Sequence, residues 1–167
     1  MAHCECQLNG ESGRESLSIE AACIADAAEI LALQKLAFLS EAELYHDFDI
    51  PMLTQTVDAL RSEIAEHTVL KAVMEGRIIG SVRGSVVGAT CHIGRLMVHA
   101  ERQGEGTGTL LMTAIEDIFP AVERFELFTG HKSLTNIRLY ERLGYRVFRT
   151  EEVSSALSLV FMEKAMA

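Results

Sequence analysis

The run Gln103-Gly104-Glu105-Gly106-Thr107-Gly108 is the part of this chain best suited to chemistry. Glycines at alternate positions strip side chains from the loop, so main-chain N–H groups can close on a ligand. An apolar stretch, Ile93-Gly94-Arg95-Leu96-Met97-Val98, leads into it, and an amphipathic stretch from Thr109 to Phe119 follows. A helix starting there adds unpaired N-terminal donors and the positive end of its dipole. A strand–loop–helix junction of this kind binds an anion, usually a phosphate. The expected ligand therefore carries phosphate.

Two familiar glycine motifs fail. A P-loop needs Lys then Ser or Thr after its last glycine, but Gly108 is followed by Thr109-Leu110. The dinucleotide pattern needs glycine at 104, 106 and 109, and position 109 is Thr. Glu126 does stand where a ribose-binding acid would. The segments upstream nevertheless read as hairpins rather than as further βαβ units.

The elements that must position this loop can be read along the chain. Residues 1–15 are polar and predict a disordered tail, with 16–167 as a single domain. Leu17 to Ala21 alternates as a strand does. Asp26-Ala27-Ala28-Glu29 suggests a capping box opening a helix over 27–39. Residues 41–51 are acidic and aromatic, too irregular for a strand. A second helix is predicted over 54–66. Strands follow at 68–74 and 77–87 around a Glu75-Gly76 turn, then at 91–98 after Gly88-Ala89. The helix after the glycine loop spans 106–119 and is closed by Pro120. A strand at 124–129 and a helix at 134–142, capped by Ser133 and ended at Gly144, come next. Strands at 145–150 and 156–162 form a closing hairpin. The class is α/β: a mixed, mostly antiparallel sheet flanked by helices.

Composition bounds the partners. The chain has 167 residues and is 49% hydrophobic, enough for one core. Its formal net charge of −9 argues against nucleic acid and suits a cationic acceptor. No run of ~20 apolar residues predicts a membrane span. The N-terminus lacks a basic-then-apolar signal pattern, which reads as cytoplasmic. Cys4 and Cys6 beside His3 are too few ligands for a metal site, so none is expected. Cys23 and Cys91 lie in apolar surroundings and read as free thiols.

The spacing Gln-x-x-Gly-x-Gly at Gln103, Gly106 and Gly108, preceded by Leu96-Met97-Val98, resembles the signature of the GNAT superfamily of N-acetyltransferases. A second segment, Asn136-Ile137-Arg138-Leu139-Tyr140-Glu141-Arg142-Leu143-Gly144-Tyr145, resembles that superfamily's other acetyl-CoA segment. The resemblance covers residues 90–163 closely and the N-terminal half only in element order. It implies acetyl-CoA as co-substrate, with the 103–109 loop on its pyrophosphate. It also implies a strand 96–98 that splays from the strand 125–129, so that its edge can pair with the pantetheine arm. The cofactor-binding set is then Leu96, Met97, Val98, Gln103, Gly104, Glu105, Gly106, Thr107, Gly108, Thr109, Asn136 and Tyr140. The fold expected is GNAT-like, splayed at the central strands.

The reaction expected is direct attack of a neutral amine on the thioester. An N–H at Met97 or Val98 would meet the developing oxyanion, and Tyr140 would serve the leaving sulfur as general acid. Asn136 stands four residues before Tyr140, on the same helix face. The base corresponds to a place early on the strand before the glycine loop, which falls at His92; an imidazole ordinarily titrates near pH ~6.5. Glu41, Glu43, His46, Asp49 and His131 are rivals. Arg95 would bind an acceptor carboxylate or pair with an acidic neighbour. Arg138 and Arg142 would meet the ribose phosphate or simply solvate their helix. The acceptor is a small-molecule or peptide amine. The apolar run Leu157 to Phe161 permits a homodimer. The alternative class is a non-catalytic module that binds or senses acyl-CoA.

Overall fold

The computed structural model describes residues 16–166. The tail expected over residues 1–15, with His3, Cys4 and Cys6, lies outside the described residues. Seven strands form one sheet in the order β1-β2-β3-β4-β5-β7-β6. They are β1 (Leu17–Ala21), β2 (Thr68–Met74), β3 (Arg77–Val87), β4 (Thr90–Val98), β5 (Arg124–Gly130), β6 (Arg146–Glu152) and β7 (Ser158–Ala165). Every neighbouring pair is antiparallel except β4 and β5, which run parallel. The helices are α1 (Ala27–Tyr45), α2 (Pro51–Thr54), α3 (Val57–Glu66), α4 (Thr107–Ile118) and α5 (Leu134–Arg142).

Each face of the sheet has its own core. On one side, Leu111, Met112 and Ile115 of α4 are fully buried against Val82, Cys91, Phe125 and Met162. On the other, Ile30, Leu31 and Leu33 of α1 pack with Leu60 and Ile64 of α3 on Val69, Ile78 and Met97. Burying one such side chain stabilises the fold by about 1.5–3 kcal/mol. Alternation along β2 and β4 supplies the two faces, since successive side chains point to opposite sides.

Several local expectations need correction. Helix α1 runs to Tyr45, six residues beyond the expected end. Ala42 and Tyr45 continue the apolar spacing from Phe38 and are buried, while Glu43 and Leu44 face outward. The acidic character of this stretch masked a helix on which Glu43 faces solvent while Glu41 turns inward to Ser133. His46, left-handed at φ 53°, ends it. The expected capping box at Asp26 does not form. The Asp26 carboxylate takes the Cys23 N–H and Lys71 instead, and Glu29 accepts from the Ile78 N–H at 2.9 Å. The helix expected over 54–66 begins at Val57 as α3, where Thr56 caps it by accepting from the Ala59 N–H, and Pro51–Thr54 forms the separate short helix α2. Ser133 holds the N-cap position of α5, but its hydroxyl accepts no N–H from that helix and donates to Glu41 instead. The run Leu157 to Phe161 falls almost wholly in β7, which is paired on both sides; the strand at that sheet edge is β6.

Candidate active site

The site begins where two parallel strands part. Strands β4 and β5 pair only through Thr90↔Arg124, Cys91↔Phe125 and His92↔Glu126. Beyond these residues the strands diverge, as the splayed architecture requires. A bulge drives the divergence from the β4 side. Against β3, Ser81 pairs with Met97 but Arg83 pairs with Gly94, so Arg95 and Leu96 together oppose Val82. Arg95 takes the left-handed conformation at φ 54°, which bends the strand and breaks strict alternation.

The bulge decides which main-chain groups face the opening. The His99 N–H donates to Ile79 O at 2.7 Å, so in an antiparallel ladder the main chain of Met97 also faces β3. The main chain of Val98 then faces the gap. Of the two donors considered from sequence, the ladder has taken Met97 and left Val98. The Gln103 side chain donates to Val98 O at 3.2 Å. Gln103 thereby ties the glycine loop back onto the strand end.

The loop itself is open. Gly104 and Gly106 are left-handed, at φ 79° and 88°. A Cβ at either would meet nothing within 4 Å, so the backbone conformation and not crowding calls for glycine. Thr107 to Thr109 form the first turn of α4. Among the described residues, no main-chain N–H from Gln103 to Thr109 has a loop or cap acceptor. Thr107 Oγ1 is buried without a partner. The loop borders a cavity of about 730 Å³, which Leu96, Val98, Gly104, Gly106, Gly108 and Thr109 help to line. Arg102, Lys132 and Arg142 stand around it. Arg138 and Glu105 do not line it. The donor set and the cations fit a polyphosphate with a long polar arm.

A second cavity, about 350 Å³, lies on the other side of the gap. Phe38, Glu41, Leu96 and Asn136 line both, so the two spaces meet there. Tyr140 lines the second cavity and is 6% exposed. Burial first, and the charge of Glu41 second, push its phenol above the ordinary range. It therefore keeps its proton at any working pH and acts as a donor.

The candidate bases separate by position. His92 lines the second cavity, and its side chain has no hydrogen-bond partner among the described residues. Glu41 lines both cavities and accepts from Ser133 Oγ at 2.8 and 2.9 Å. His131 Nδ1 accepts from the Ser158 N–H at 2.9 Å, clamping the end of β5 to β7. His131, Glu43, His46 and Asp49 line neither cavity. Glu126, weighed as a ribose-binding acid, is ion-paired with Arg124.

Sequence reasoning missed Tyr45. Its hydroxyl accepts from the Lys132 N–H at 2.9 Å and lies 3.4 Å from Ser133 Oγ. A Cβ at Gly130 would come within 2.0 Å of that hydroxyl, so glycine is required there for space. The signal was the continued spacing of Phe38, Ala42 and Tyr45. Cys91 is fully buried, and burial pushes its thiol up to about 11. It is protonated at neutral pH and is no ready nucleophile. Among the described residues, no helix is long and apolar enough to cross a membrane.

Known proteins share this fold. A family model described as the acetyltransferase (GNAT) family matches residues 28–145. The chain is 27% identical over 134 residues to the UPF0157 protein YqkA of Bacillus subtilis, covering 80% of this chain and 38% of that protein. It is 31% identical over 78 residues to an uncharacterized N-acetyltransferase, MJ1530, of Methanocaldococcus jannaschii, covering 45% of this chain and 50% of that protein. The chain thus spans half or less of these curated relatives. Among solved structures it is similar to the PaiA N-acetyltransferase of Thermoplasma acidophilum in complex with coenzyme A. That likeness has a TM-score of 0.76 at 16% identity, over 90% of this chain and 99% of that one. The ribosomal-protein-S18-alanine N-acetyltransferase of Escherichia coli matches with a TM-score of 0.74 at 15% identity, over 91% and 96%. At these identities the likeness is one of fold.

Proposed function

Because this chain belongs to the acetyltransferase (GNAT) family, we propose that it acetylates a primary amine by direct attack within a ternary complex. The observation that carries this reading is the pair of cavities meeting at Leu96, Glu41 and Asn136, across the gap between β4 and β5. One cavity suits the cofactor, the other an acceptor, and the reaction belongs at their junction.

Acetyl-CoA, when bound, supplies an acyl group activated as a thioester. The free N–H groups of residues 104–109 bind its diphosphate, with Lys132 and Arg142 adding charge. Asn136 orients the pantetheine arm. His92 takes a proton from the acceptor's ammonium, which frees the lone pair on nitrogen for attack. The Val98 N–H donates to the carbonyl oxygen as it gains charge, a contact worth about 3 kcal/mol in comparable sites. Tyr140 donates its O–H to the sulfur as the C–S bond breaks. The second amine proton, lost on collapse to the amide, returns through solvent to the Tyr140 phenolate, and His92 releases its proton to solvent, so that one thiol, one amide and one proton are formed. Glu41 holds the incoming ammonium by charge and fixes Ser133.

Initial-rate kinetics over a panel of amines test this, with released thiol and N-acetyl product both measured. The expected result is equal amounts of thiol and amide, with double-reciprocal lines that intersect. Parallel lines would indicate a covalent acyl-enzyme. Binding of coenzyme A with no thiol release from any amine would favour a sensing module.

A further inference from the structure

Arg95 is a cation in an unusual position. None of its guanidinium N–H groups has a hydrogen-bond acceptor among the described residues, and Nη1 is wholly cut off from solvent. Its backbone is left-handed, a conformation in which glycine is far more easily accommodated. Strain at a residue that keeps a large charged side chain points to function.

The neighbourhood leaves one positive charge in excess. Arg83 lies beside it and is ion-paired with Glu63 at 2.7 Å. Glu63 is the one acidic group felt at Arg95, and it is already committed to Arg83. Two guanidiniums and one carboxylate leave a net charge of about +1. Arg83 and Arg95 both line the 350 Å³ cavity assigned to the acceptor. Phe38, Ile50, Met52 and Leu157 give the cavity apolar surface, and its carboxylates, Glu41 and Asp47, are not the acid paired with the guanidiniums, which is Glu63.

We propose that Arg95 is the carboxylate-binding residue of the acceptor cavity, and that the acceptor is a small amino carboxylate. A guanidinium offers two parallel N–H groups to a carboxylate. A single negative charge neutralises the excess, whereas a phosphate dianion would overshoot it. The cavity is at the small end of ligand pockets, so the acceptor is short. Arg95 precedes Val98 by three residues, which holds the carboxylate and the reacting amine on one small molecule. The acidic net charge of the chain suits a cationic acceptor; beside Arg95 the local charge is the reverse. What happens to the amine rests on the transferase reading, but binding of the carboxylate does not.

The test compares amino carboxylates with their carboxamides, in wild type and in Arg95→Met. With thiol release as readout, wild type should prefer the carboxylates at least tenfold in kcat/KM. Arg95→Met should abolish that preference through KM, leave the Kd of coenzyme A within about twofold, and leave Tm unchanged or raised. A lowered Tm with the preference intact would make Arg95 structural and overturn the proposal. Calorimetry of the same compounds on the coenzyme A complex runs in parallel. Carboxylate binding lost in Arg95→Met supports the subsite even where turnover fails. Equal binding of carboxylates and carboxamides to wild type overturns it.

Discussion

His92 and Glu126 are the last residues paired across the parallel strands β4 and β5. One residue further on, Ile93 and Leu127 are no longer partners, and by Leu96 the strands bound an opening. His92 therefore stands at the fork, on the acceptor side, while the Val98 main chain faces the gap further along the same strand. In the proposed reaction the groups along β4 would follow one another as base, specificity group and oxyanion donor.

Tyr140→Phe should lower kcat at least tenfold while coenzyme A binds within about twofold of wild type. The phenol lines the acceptor side and keeps its proton. In wild type, the pH–kcat profile should show no falling limb from Tyr140 below pH ~10, since its ionisation lies above the ordinary phenol value. Unchanged turnover in the variant would remove Tyr140 from the mechanism.

Gly130→Ala should displace the Tyr45 ring, because the new Cβ would fall 2.0 Å from Oη and 2.5 Å from Cζ. Overpacking of this kind costs about 1–3 kcal/mol. Urea unfolding of the double-mutant cycle with Tyr45→Ala is the check. In the Tyr45→Ala background the same change should cost under about 0.5 kcal/mol; an equal cost in both backgrounds would exclude the clash as its cause.

Cys91→Ala should retain most of the turnover. Burial holds this thiol up to about 11, so alkylation by iodoacetamide at pH 7.5 should be far slower than at an exposed cysteine. Loss of turnover together with a trapped acetyl-thioester on Cys91 would establish a covalent route instead.

Acid stability should depend on Asp26. Burial alone would raise its pKa, but the Cys23 N–H and Lys71 outweigh that, and the net shift is downward. A depressed carboxylate contributes stability that is present above its unfolded pKa of ~3.9 and is lost as pH falls through its folded value. Lys71→Met should therefore destabilise by about 1–3 kcal/mol at pH 7, between the exposed and buried limits for ion pairs. It should also flatten the loss of stability below pH 4. A parallel offset at all pH values would show that the pair contributes nothing through titration.

Much of this was legible in the residue pattern because it depends on local chemistry. The glycine loop, the strands around Glu75-Gly76 and the helix bearing Asn136 and Tyr140 were readable from their glycines, turn and terminal residues. The end of α1 was not, because Glu41 and Glu43 between them obscured the spacing of Ala42 and Tyr45. The bulge at Arg95 left no trace in composition; it arises from the mismatch between β3 and β4. Nor could sequence sort His92 and Glu41 from His131, Glu43, His46 and Asp49. That required knowing which side chains reach a cavity and which, like His131, are spent on holding two strands together.

The central claim is that unpaired amides at the start of α4 and at the end of β4 receive the cofactor. Amide chemical shifts of ¹⁵N-labelled protein, followed during titration with coenzyme A, test it most directly. The largest changes should fall at Gly104, Gly106, Thr107, Gly108 and Thr109, with Val98 moving in step. Saturable binding of coenzyme A that leaves those amides unmoved would contradict it.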